Sequence, residues 1–118
     1  MKGARHPRHR LEPLLQSPVR FSVMAALASA ERLEFRFVRD AVEINDSALS
    51  KQSAALEEAG LVEVEKGYLG KRPRTWLKAT PKGREVFQEH CAGLQAIARG
   101  LAADPPAGAL DRPAGGEA

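Results

Sequence analysis

Between Lys66 and Arg84 the chain carries seven cationic side chains, Lys66, Lys71, Arg72, Arg74, Lys78, Lys82 and Arg84, and no carboxylate. The preceding stretch from Asp40 to Glu65 reverses the sign, with seven acids against Lys51 alone. The whole chain is only +3, so the segregation of charge says more than its total. Lysines by themselves would be accounted for as guards of an exposed strand edge, a role that explains the arginines less well. A basic hairpin tip stiffened by Pro73 suits a polyanionic backbone, where each neutralised phosphate releases counterions and affinity falls with salt.

Other reactive residue types point nowhere comparable. Cys91 follows His90 directly, but adjacent helical residues project about 100° apart and Cys91 falls on an apolar seam, where thiols are inert. No enzyme is expected. Whether the thiol senses redox state stays open. A single cysteine makes no internal disulfide, and with no CxxC or Cys/His cluster, neither metal nor cofactor is expected. His6 and His9 sit among Lys2, Arg5, Arg8 and Arg10 and read as part of a basic arm able to reach an adjacent groove. No apolar run is long enough for a signal peptide core or a membrane span, so a soluble, cytoplasmic protein without membrane contact is expected.

With 118 residues there is room for one domain. Residues 1–10 read as a flexible arm, 11–101 as the folded part and 102–118, rich in Pro, Gly and Ala, as a disordered tail. Ser17-Pro18 opens a helix bearing Phe21, Met24, Leu27 and Ala28. Leu33-Glu34-Phe35 alternates like a short strand, and Phe37, Val38, Ala41 and Ile44 recur at helical spacing. Asp46 is the expected cap of a third helix over 47–59, ended by Gly60. Leu61 to Glu65 and Thr75 to Ala79 alternate as strands about a tip spanning 67–74, and Thr80-Pro81 opens a last helix over 82–101.

The third helix supplies a surface to accompany the basic hairpin. With Leu49 inward, Leu56 follows on the same side, while Ser47, Lys51, Ala54 and Glu58 fall opposite, flanked by Ala48 and Ser50. Small polar residues with one lysine let a helix approach a groove floor, where Ser47, Ser50 and Lys51 would meet base edges or phosphates. The alternative is an ordinary solvated face. On the last helix Phe87, Cys91, Leu94, Ala98 and Leu101 recur in steps of four and three, with Ile97 beside them. Such a seam suits self-pairing, which would set two reading heads about one DNA turn apart.

The string LSKQSAALEEAGLVEVEKGYLGKRPRTWLKATPKGREVF, residues 49–87, resembles winged-helix regulators of the MarR and ArsR type. With the segment LEPLLQSPVRFSVMAAL, residues 11–27, it is similar more closely to a small stand-alone winged-helix group. The resemblance implies an α+β, mainly α fold: a winged helix-turn-helix with a two- or three-stranded antiparallel wing and a C-terminal dimerisation helix. It implies a recognition helix at 47–59, wing strands within 61–79, and a homodimer built through 82–101 that binds double-stranded DNA and regulates transcription. The DNA-binding residues are then Ser47, Ala48, Ser50, Lys51, Ala54, Lys66, Lys71, Arg72 and Arg74, and the dimer residues Phe87, Cys91, Leu94, Ile97 and Leu101. Ser53 stands where such helices carry a buried leucine, and Glu43 where a glycine is common. The cysteine motif of metal-sensing relatives is missing. The acidic pair Glu57-Glu58 keeps a protein-binding module as the alternative, and the sequence leaves a small-molecule effector undetermined.

Overall fold

Apolar side chains spaced three and four apart give every helix one face to bury, and a computed structural model, describing residues 5–100 and Gly108, gathers those faces on one side of a small sheet. Two 3-10 turns, Pro7–Arg10 and Pro13–Gln16, lead into α1 (Pro18–Ala28), β1 (Leu33–Glu34), α2 (Phe35–Val42), α3 (Asp46–Glu58), β2 (Val62–Leu69), β3 (Arg72–Ala79) and α4 (Pro81–Arg99). The sheet is antiparallel in the order β1-β3-β2. The fold is thus mainly helical with a three-stranded wing, as the resemblance implied.

Val23, Met24 and Leu27 of α1, Val38 of α2, Leu49 and Leu56 of α3 and Leu77 of β3 are fully enclosed, with Leu15, Leu61, Val62 and Ala79 closing the core. Phe37, on the periodic face expected of α2, is instead 56% exposed. Helix starts follow local chemistry: the Ser17 hydroxyl accepts from the Arg20 amide, and Thr80 Oγ1 from the Gly83 amide at 2.9 Å. Glu43 ends α2 at φ 64°, the left-handed region that costs an L-residue roughly 1–2 kcal/mol.

Three expectations change. The cap of α3 is Asn45, whose Oδ1 accepts from the Ala48 amide at 2.7 Å, and Asp46 is the first helical residue. An asparagine side chain meets the orphaned amide equally well, so the two neighbours compete on sequence alone. The eight-residue tip over 67–74 is a two-residue turn: Leu69 pairs with Arg72 across Gly70-Lys71, with Gly70 at φ +66°, the positive angle a type II′ turn requires at its first central position. Pro73 interrupts nothing, because β1 is too short to flank β3 there.

The third change concerns the basic arm. Pro7 is buried and the turn Pro7–Arg10 lies along α4. A Cβ on Gly93 would come within 3.0 Å of both the Pro7 carbonyl oxygen and Leu11 Cδ2, so a glycine on α4 admits the segment. Residues 1–4 and 101–107, with most of the expected tail, lie outside the described residues.

Candidate nucleic-acid interface

Helix α3 presents a narrow, little-charged ridge. Leu49, Ser53 and Leu56 point inward, leaving Ser47, Ser50, Lys51 and Ala54 exposed and Ala48 half-buried. The acid at its start is offset: Arg39 Nη1 lies 2.9 Å from Asp46 Oδ1 while its Nε lies 2.8 Å from Asp40 Oδ1. The guanidinium hydrogen bond holds the Asp40 carboxyl below its ordinary range. Both pairs are largely exposed, so they organise charge at the α2–α3 corner more than they stabilise it.

Apart from the half-buried Lys78, the basic cluster divides into two groups. Lys66, Lys71 and Arg72 stand exposed near the hairpin tip, and none of them forms an ion pair among the described residues. The cations nearer the hairpin base serve the subunit itself. Arg84 donates to the carbonyls of Ala28 and Ala30 at 3.1 and 2.8 Å, and Lys82 to that of Ala59 at 3.1 Å. Arg74 departs from the expectation of a solvent-facing DNA ligand. Its Nε sits 2.6 Å from Glu34 Oε2, with side chains only 14% and 21% exposed. The reason is the register: Glu34 pairs with Trp76, which sets it two residues from Arg74 on the neighbouring strand.

On α4 the expected seam separates along its length. Phe87 leans into the domain, its ring 5.5 Å from that of Phe21, and Cys91 is half-buried. Leu94 and Ile97 are each 39% exposed. Leu101 lies outside the described residues. Burial pushes the Cys91 thiol up, away from the thiolate that nucleophilic chemistry needs. The neighbouring His90 is 1% exposed, accepts from the Glu12 amide at Nδ1 over 2.9 Å, and has its pKa lowered by burial. Nδ1 is therefore engaged with the N-terminal segment, while the ring lies 5.5 Å from that of Phe21 on α1.

Among the described residues no group of three or more His, Cys, Asp or Glu could hold a metal ion, and no helix is long and apolar enough to cross a membrane. The family model for the winged helix DNA-binding domain matches residues 19–98. The chain belongs to that family.

This winged helix domain is 28% identical over 88 residues to an uncharacterized protein of Methanocaldococcus jannaschii, a match spanning 75% of this chain and 96% of that one. Among solved structures it is similar to the transcriptional regulator homologue protein from Pyrococcus horikoshii OT3, with a TM-score of 0.71 and 28% identity over 76% of this chain and 89% of the other. Staphylococcus aureus MarR, solved with salicylate and kanamycin, shares the fold at a TM-score of 0.60 and 23% identity, over 76% of this chain and 62% of that one.

Three positions that hold the winged helix together escape residue-type reasoning. A Cβ on Gly83 would collide with the Leu61 carbonyl, so glycine lets α4 close on the strand entry. Gly93 seats the N-terminal turn, and Glu34 ties Arg74. Nothing in composition or periodicity marks them, because each works through a contact distant in sequence.

Proposed function

We propose that the chain is a sequence-specific, double-stranded DNA-binding transcriptional regulator acting as a homodimer, with α3 in the major groove and the wing tip on the backbone or in the minor groove. The observation that carries this reading is the pairing of a slim polar ridge on α3 with exposed wing-tip cations that form no ion pair among the described residues. Ser47, Ser50 and Lys51 then address base edges and phosphates, with Ala48 and Ala54 allowing close approach. Lys66, Lys71 and Arg72 neutralise phosphates. Arg74 instead orients the wing through Glu34. Family membership and the regulator from Pyrococcus horikoshii support the same reading.

Self-pairing draws on the C-terminal half of α4. Leu94 and Ile97 supply exposed apolar surface, and an apolar groove of about 490 Å³ lined by Leu11, Leu15, Pro18, Phe21 and Leu94 adjoins them. Phe87 and Cys91 contribute mainly to their own subunit, leaving the seam shorter than its heptad spacing suggests. We read the protein as a regulator acting in the cytoplasm and not as an enzyme, consistent with the raised Cys91 thiol.

Selection of bound duplexes from a random library tests the proposal. A homodimer should enrich an inverted repeat with half-sites about 34–36 Å apart. Failure to enrich any duplex, with retention of a protein partner through α3, would favour the protein-binding alternative.

A further inference from the structure

Among the described residues the two most exposed large apolar side chains are neighbours on β2, Tyr68 at 75% and Leu69 at 60%. Both sit at the wing apex, where Tyr68 pairs with the exposed Pro73 and Leu69 with Arg72 around the Gly70-Lys71 turn. Side chains alternate across a strand. Tyr68 therefore continues the face of Val64 and Lys66, which line the cleft between the wing and α3, and Leu69 projects from the opposite face. The apex thus carries apolar surface on both sides. Its rim is cationic: Lys66, Lys71 and Arg72 are exposed, and β2 and β3 hold no carboxylate beyond Glu65. Isolated exposed apolar residues are ordinary, but two on opposite faces of one tip, ringed by cations, call for a partner that is apolar between two anionic margins.

The minor groove of a duplex has that form, since its two walls are deoxyribose rings with apolar C–H faces and its two lips are phosphates. Dimensions then set a condition. A pleated layer with side chains on both faces is about 10 Å thick, against a minor groove about 6 Å wide, so this tip enters only where the groove opens. Opening is least costly at flexible pyrimidine–purine steps such as TA and most costly in stiff, narrow A-tracts. A slender cationic insertion has the opposite preference, because the potential of the narrow groove draws it in. On the DNA-binding reading above, we propose that Tyr68 and Leu69 form an apolar wedge that spreads the minor groove, so that the wing selects deformable sequence at positions where it bonds to no base.

Competition between two synthetic duplexes, poly(dA)·poly(dT) and alternating poly(dA-dT)·poly(dA-dT), isolates deformability, because both present the same minor-groove acceptors. The full chain should bind the alternating duplex at least about fivefold more tightly at low salt. Replacing both apex residues, Tyr68→Ala with Leu69→Ala, should bring that ratio to within about twofold. The unfolding midpoint should not move, since neither side chain belongs to the core. Lys71→Ala with Arg72→Ala should weaken binding to both duplexes and keep the ratio. If the double apex variant does not fold, Leu69→Ala alone decides, with a partial fall in the ratio expected. Equal affinity of the parent for the two duplexes, a preference for poly(dA)·poly(dT), or a ratio that survives in the apex variant overturns the wedge and leaves DNA binding standing. Binding to neither duplex overturns the DNA reading and the wedge with it.

Discussion

The tip and the base of the wing are built from the same residue types and do different work. At the tip Lys66, Lys71 and Arg72 face solvent, whereas Arg74 lies in a close charge pair with Glu34, and Lys82 and Arg84 donate to carbonyls of Ala59, Ala28 and Ala30. A count of positive charge along the sequence cannot separate the groups, because it registers no partners. The difference teaches that a basic stretch holds two sets of cations, an exposed set proposed above to meet phosphate and a set of struts engaged within the subunit. Struts belong to stability and tip cations to affinity, so substitutions should sort by which quantity they move.

The largest stability effect is expected where the base closes on α4. Gly83→Ala drives a methyl into the Leu61 carbonyl, and relief requires backbone movement costing about 1–3 kcal/mol; denaturant unfolding should show a lower midpoint at unchanged slope. Arg74→Ala follows. It leaves the Glu34 carboxylate, 21% exposed, without its closest cation, for an expected loss of about 1–2 kcal/mol. If Arg74 were instead a phosphate ligand, stability would hold and the salt dependence of duplex binding would weaken.

A smaller effect belongs to the N-terminal segment, the other basic stretch that the structure engages internally. Arg10 pairs with Glu89 at 3.0 Å, and His90 holds the Glu12 amide through a neutral Nδ1. Burial lowers the His90 pKa from 6.5, an effect that the neighbouring Glu12 carboxylate opposes. Below pH about 6.5 the unfolded chain therefore binds more protons than the folded one, so stability is full above that pH and declines as acid is added. His90→Asn preserves an acceptor and removes the titration. Thermal midpoints at pH 7.5 and 5.5 should differ less for the variant than for the parent, and an equal difference would exclude His90 as the cause.

How far the sequence could be read depended on the range of each interaction. Leu49 and Leu56, Gly60, the alternation of β2 and β3, and Ser17-Pro18 encode elements within a few residues, and all were legible. The choice between Asn45 and Asp46 as cap was not, since both chemistries fit. Nor was the closeness of the tip turn, because the polar residues there hide a continuing ladder. Residues 7–10 resembled solvated arm by charge, and their docking depends on partners far along the chain, the missing side chain at Gly93 and the Glu89 carboxylate that meets Arg10. Ser53 was legible as a departure from a buried leucine, but the space beside it depends on how α3 meets the sheet. For the candidate interface the residue types were visible, and their availability was not.

Duplex affinity measured against salt concentration tests the separation of tip from base most directly. Replacing Lys71 and Arg72 together by alanine should reduce the slope of log affinity against log salt by about 2 while leaving the unfolding midpoint unchanged, since each neutralised phosphate contributes close to one. Arg74→Ala should lower the midpoint and leave the slope intact. The account is contradicted if the double variant keeps the parental slope, or if Arg74→Ala lowers the slope without loss of stability.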